Sequence, residues 1–164
     1  TRRLANQFLA AGLGCHTERQ QLAGHESGQH HLAIYLHNGV EYLEAMLAAF
    51  KARVAPFNVN YRYTADELRR LLTDADAAAI VVHSRFTPTL AEVLPSIASL
   101  RLIVQVPDDS DLPLLPGAVW YDDALAVASP APAGGSGATR AAFCLSCVYA
   151  ARSLIRPVFG PSGV

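Results

Sequence analysis

The sequence predicts an α/β fold, a parallel βαβ sheet with flanking helices. Three observations carry this reading: short apolar runs at residues 32–36, 54–59, 77–82 and 101–106, amphipathic segments of helical period between them, and brief connections. Parallel neighbours need a crossover, and a helix supplies it. At 164 residues the chain has room for one domain with a sizeable core, and a second full domain would not fit.

Leu4, Phe8, Leu9 and Leu13 recur at helical spacing, and Gly12 and Gly14 follow as stop signals, so residues 2–12 read as an amphipathic helix that covers a sheet. Residues 15–31 are polar, carry Gly24 and Gly28, and show no period, which reads as a loop. The continuous run LAIYL at 32–36 is the pattern of a strand buried on both faces, and Asn38-Gly39 then turns the chain. Leu43, Met46, Leu47 and Phe50 fall on one stripe, with Glu41, Glu44, Lys51 and Arg53 off it. That spacing predicts a helix to about Arg53 whose apolar stripe is the buried one.

Residues 54–59 form a second extended segment, and Pro56 argues for an edge or irregular strand. Thr64-Ala65-Asp66-Glu67 is a capping box that opens a helix with Leu68, Leu71 and Leu72 as its buried face. The run AAAIVV at 77–82 is a third buried strand. Thr87-Pro88 starts a helix with the stripe Leu90, Val93, Leu94 and Ile97, which Pro95 should kink or end early. RLIVQV at 101–106 is a fourth strand, 107–117 a loop rich in aspartate and proline, and 121–128 a short helix. After Ser129 the stretch Pro-Ala-Pro-Ala-Gly-Gly-Ser-Gly has linker composition. The chain therefore divides into a domain over 1–129, a Gly/Pro linker over 130–140 and an atypical tail over 141–164.

Composition narrows the function. Hydrophobic residues make up 51% and charged residues 16%, which excludes disorder over the whole length. A net charge of -1 gives no field to attract nucleic acid or an acidic membrane. Of 13 basic residues only Lys51 is a lysine, so one candidate serves every mechanism that needs an amine. Cys15, Cys144 and Cys147 make no disulfide framework, and no apolar run nears the roughly 20 residues of a bilayer span. A cytoplasmic, non-spanning protein is expected. The chain begins at Thr1, which suggests a piece of something longer.

Several residue groups could carry chemistry. Gly134-Gly135-Ser136-Gly137-Ala138-Thr139 could cradle phosphates through backbone N–H groups, but it lacks a lysine and fits neither a Walker nor a dinucleotide pattern, so a linker is the simpler reading. His25, His30 and His31 with Glu26 could suggest a metal site, yet the spacing lacks the helical pairing of zinc hydrolases and fits a solvated loop. His37 and His83 each follow a strand, where open α/β sheets bind ligands, and each could equally be a polar cap. Cys144-Leu145-Ser146-Cys147 has dithiol or half-ribbon spacing inside an apolar stretch, so buried inert thiols are the plain reading and a redox or zinc protein the sharper one. Asn58, Asn60, Arg62 and Tyr63 form a polar patch that could bind a ligand or satisfy a turn.

Ala33-Ile34-Tyr35-Leu36-His37-Asn38-Gly39, with the helical segment from Glu41 through Lys51 to Arg53, resembles the N-terminal region of AMP-forming acyl-CoA synthetases, members of the adenylate-forming superfamily. Pro56-Phe57-Asn58-Val59-Asn60-Tyr61-Arg62-Tyr63-Thr64, then Asp66-Glu67-Leu68 and Asp74-Ala75-Asp76-Ala77, is similar to the proline, asparagine and Glu-Leu pattern after that family's second strand. The Asn-Tyr-Arg-Tyr wording is nearest to bacterial fatty-acid or steroid side-chain CoA ligases. Residues 86–95, Leu115-Pro116-Gly117-Ala118 and Asp122-Asp123-Ala124-Leu125 continue the likeness, which covers about residues 1–129.

The resemblance implies an incomplete N-terminal portion of the family's large domain. It also implies an enzyme that joins a carboxylic acid to ATP as an acyl-adenylate, releases pyrophosphate and passes the acyl group to coenzyme A. The family's phosphate loop, ending in Pro-Lys-Gly, is expected just after residue 129. Residues 134–140 have glycines and a hydroxyl without that ending, and 141–164 match no part of the family. No catalytic, cofactor-binding or metal residue of the family maps onto the chain. ATP, magnesium and coenzyme A belong to the full-length enzyme, and this chain is expected to bind none and to be inactive. A frameshifted, truncated or cut copy would explain the join, with poor solubility or self-association following from uncovered faces. The competing class is a non-catalytic α/β module that pairs with a related ligase subunit.

Overall fold

The computed structural model describes residues 1–24 and 26–131. Helix α1 (Arg2–Ala10) leads through a loop to strand β1 (His31–Tyr35), and α2 (Val40–Lys51), β2 (Ala55–Asn58), α3 (Ala65–Asp74) and β3 (Ala77–His83) follow. Then come α4 (Thr87–Val93), β4 (Leu102–Val106), β5 (Val119–Trp120) and α5 (Tyr121–Val127). The strands are all parallel in the order β2-β1-β3-β4-β5. The α/β reading, the edge position of the Pro56 strand and the early end of α4 at Pro95 all hold.

Alternation along the strands explains why they read as unbroken apolar runs. Leu32, Ile34, Ala79 and Val81 point to a core shared with α1, α2 and α5, while Ala33, Tyr35, Ile80 and Val82 point to one shared with α3 and α4. The first helix ends as its glycines require. Gly12 adopts φ +73, Leu13 N–H reaches the Phe8 carbonyl at 2.9 Å and Gly12 N–H that of Leu9 at 2.9 Å, the paired bonds of a left-handed helix stop. In the following loop Gly28 is needed for space, because a Cβ there would lie 2.0 Å from the Thr17 carbonyl oxygen.

Two features depart from the sequence reading. The short strand β5 was not anticipated, since two residues carry no period. More consequential, α2 is rotated relative to its expected stripe: Ala45, Ala48 and Ala49 are buried, Met46 and Phe50 are half-buried, and Leu43 and Leu47 are 59% and 46% exposed. Val40 joins them at 69%. Glu44, expected off the apolar stripe, faces α5, where it accepts from the Tyr121 hydroxyl. Burial first, and then the Glu44 carboxylate, push the Tyr121 phenol well above its ordinary range.

Candidate functional site

The strand order places a switch point between β1 and β3. From β1 the chain steps outward to β2, then crosses back to β3 and continues the other way to β4. The loops after β1 and β3 therefore diverge, and the crevice between them at the carboxyl edge is where open α/β sheets take ligands. His37 leaves the end of β1 and His83 closes β3.

Here the two histidines meet. The His37 N–H donates to His83 Nδ1 at 3.0 Å, and the rings lie 5.8 Å apart. Around them gather aromatic rings: Tyr61 at 4.9 Å and Phe86 at 5.0 Å from His37, with Phe86 stacked on Tyr35 at 4.6 Å. A cavity of about 550 Å³ opens beside them, lined by Leu36, His37, Asn38, Asn58, Val59, Asn60 and Tyr61. The Arg62 guanidinium sits 5.6 Å from the centre of the Tyr61 ring, inside cation–π range. An aromatic wall, carboxamides and one cation suit a planar, anionic ligand better than a purely aliphatic one.

Of the patch expected at residues 58–63, Asn58 and Asn60 line the cavity, Arg62 stands at its rim, and Tyr63 turns away to pack against the α3–α4 core. The turn reading is also satisfied: Asn60 Oδ1 accepts from Arg62 N–H at 3.0 Å, and its carbonyl from Tyr63 N–H at 3.1 Å. Tyr61 and Phe86 escaped sequence reasoning. Tyr61 left one faint signal, an exposed aromatic within a polar turn.

The other candidates lie elsewhere. His30 Nδ1 contacts the backbone of Gly14, while His31 contacts the Ala75 carbonyl and, at 2.8 Å, Ser27 Oγ. Glu26 accepts from Ala23 N–H at 2.9 Å. No group of three metal-ligating side chains occurs among the described residues. His25, the glycine-rich stretch 134–139, Cys144 and Cys147 lie outside the described residues, as do the linker and tail readings from residue 132 on.

The loop after β4 is pinned to this edge. Gln105 is fully buried in β4, yet its Nε2 donates to Ser84 Oγ and the Pro113 carbonyl, both at 3.0 Å, and its Oε1 accepts from Leu115 N–H at 2.8 Å. Every polar atom of the amide is satisfied, which is what burial demands. Beyond it, burial raises the Asp108 carboxyl, but the Ser110 hydroxyl, the N–H groups of Arg85 and Ser110 and the Arg85 guanidinium outweigh that and hold it at about 2.

Fold and crevice together define an open, parallel α/β protein with a crevice at the carboxyl edge of its sheet, the place where such sheets take ligands. The model of the AMP-binding enzyme family matches residues 19–138, and the chain belongs to that family. It is 54% identical over 130 residues to the medium-chain acyl-CoA ligase Mig of Mycobacterium avium, covering 79% of this chain and 24% of that protein. It is 38% identical over 100 residues to a 3-oxocholest-4-en-26-oate--CoA ligase of Rhodococcus rhodochrous, covering 60% of this chain and 18% of that one. Among solved structures, a putative long-chain-fatty-acid CoA ligase from Rhodopseudomonas palustris superimposes with a TM-score of 0.60 at 24% identity, over 80% of this chain and 28% of the other, which shows the shared fold. The chain thus spans about a quarter or less of the length of these curated relatives. No helix among the described residues is long and apolar enough to cross a membrane.

Proposed function

We propose that the chain is the N-terminal portion of a cytoplasmic acyl-CoA ligase and is inactive alone. Residues 1–129 are its part of the AMP-binding domain, 130–140 a linker and 141–164 an atypical tail. In the complete enzyme a fatty or related carboxylate oxygen attacks the α-phosphorus of ATP, pyrophosphate leaves, and the coenzyme A thiolate then displaces AMP from the acyl carbonyl. The observation that carries this reading is the 54% identity over 130 residues to a medium-chain acyl-CoA ligase.

The crevice supports a binding role for this portion, one wall offering Tyr61, His37, Asn58, Asn60 and Arg62 to an aromatic, anionic ligand. It gives no support to independent chemistry. Attack of one anion on another needs converging cations, whereas Lys51 ends α2, about 16 Å along the helix from the crevice edge at 1.5 Å per residue. Among the described residues we assign none a catalytic, cofactor or metal role. ATP–pyrophosphate exchange by the 164-residue chain should stay at the no-protein blank with medium-chain acids, and exchange above it would overturn the inactive reading.

A second reading is favoured by one specific observation, the solvent-facing row Val40, Leu43 and Leu47 on α2. A helix that shows three large apolar side chains to water is built to be covered. The chain would then pair with a second copy or with a related ligase subunit through α2. Co-purification with a full-length homologous ligase, lost on replacing Leu43 and Leu47 by serine, is the expected result. A monodisperse monomer by light scattering that captures no ligase would sink it.

A further inference from the structure

The two histidines at the switch point are joined in a way that a single protonation state permits. Because His37 N–H donates to His83 Nδ1 at 3.0 Å, that nitrogen must carry a lone pair and the ring proton must sit on Nε2. A second proton would place an N–H against an N–H, and the bond would be lost. The ring is half-buried, so water recovers only part of what the lost bond costs.

Charged and titratable groups approach His83 from several elements: His37 from the turn after β1, Glu41 from α2, Arg85 from the turn after β3 and Asp108 from the loop after β4. Tyr61, from the turn after β2, faces the His37 ring, and Phe86 lies 6.4 Å from His83. Burial is the largest influence and disfavours the cation. Asp108 and Glu41 favour it, His37 and Arg85 oppose it, and the balance falls below the ordinary histidine value of 6.5. A base held neutral by the fold contributes its full stability above that value and loses it as the pH falls below.

We propose that His83 is a proton-operated latch on the crevice: neutral, it fixes the His37 turn and keeps that ring against Tyr61, and protonated, it frees the turn and reshapes the cavity wall. His37 and Tyr61 both line the cavity, so the wall that a ligand meets depends on this bond. The latch is a property of the sheet's carboxyl edge and stands apart from the ligase reading, whichever ligand the crevice takes.

NMR on the full 164-residue chain tests it, following the His83 ring and the His37 backbone amide from about pH 8 to about pH 5. Both signals should move with one midpoint below 6.5. The His37 amide should lose about tenfold of its hydrogen-exchange protection, beyond the intrinsic pH effect, as expected for one buried hydrogen bond. His83→Asn, whose Oδ1 can accept the same bond without titrating, should hold the His37 amide constant over that range, and His83→Leu should resemble the acid form throughout. A His37 amide that titrates unchanged in His83→Asn, or stays fixed while His83 titrates in the parent, overturns the proposal. Should His83→Leu fail to fold, the parent titration and His83→Asn decide between these outcomes.

Discussion

Helices α2 and α3 are both sheet crossovers, of 12 and 10 residues, and they dispose of their large apolar side chains in opposite ways. On α3, Leu68 and Leu72 go into the core while Asp66, Glu67, Arg69 and Arg70 face water. On α2, alanines go inward and Val40, Leu43 and Leu47 go outward. The inner alanines let the helix sit close to β1 and α1, whereas the outer leucines leave about half of their surface exposed. One helix turns charged side chains to the solvent, and the other turns a row of apolar ones.

The comparison predicts its largest effect in a pair of leucines. Leu72→Ala should cost about 2–5 kcal/mol by emptying a fully buried site, while Leu43→Ala should stay within about 0.5 kcal/mol. Urea unfolding of the two variants measures this, and equal losses would break the contrast. Next, Ala48→Leu should cost about 1–3 kcal/mol, because its Cβ already touches packed neighbours on the inner face. An unchanged unfolding midpoint would mean that α2 can roll outward. The smallest effects belong to the helix starts. Thr64→Ala removes the hydroxyl half of the capping box on α3, leaving the residue-64 N–H on the Glu67 carboxylate, and should cost about 1 kcal/mol. Gly39 caps α2 with no side chain, so Gly39→Ser should gain roughly a few tenths of a kcal/mol. Its new Cβ would meet the movable Glu41 carboxylate at 3.2 Å and lie in ordinary contact with the His37 carbonyl at 4.0 Å. Paired thermal melts would show whether the two ends differ as stated.

The parts of the fold legible in the sequence are those decided locally. The capping box, Pro88 at a helix start, Pro95 at its end and Pro56 on an edge strand each act through their own backbone, whatever surrounds them. The α2 stripe was misread because hydrophobic period ranks side chains by size and assumes that the chain buries its own largest ones. Alanine carries little weight in that ranking, yet close helix–sheet approach selects it. The site was half legible. His37, His83, Asn58 and Asn60 were visible as polar residues at strand ends, but their meeting with Tyr61 and Phe86 depends on the strand order, which no local pattern encodes. Gln105 looked like one polar letter in an apolar strand, and its role as the tie for the loop after β4 rests on partners 8 to 21 residues away.

Pro56 has a bearing on how this chain fails as well as how it folds. Ala55 and Val59 donate inward to His30 and Ile34 of the neighbouring segment, so the even positions of β2 face outward, and at one of them proline has no hydrogen to give. An incoming strand would find a broken template along this border, and ribbon-like growth is blocked there. Clumping of the chain should accordingly proceed through the greasy outer side of α2 and yield discrete or amorphous particles. Heated samples should scatter light without the dye fluorescence of cross-β fibrils, and restoring the donor with Pro56→Val should be the change that brings that fluorescence on.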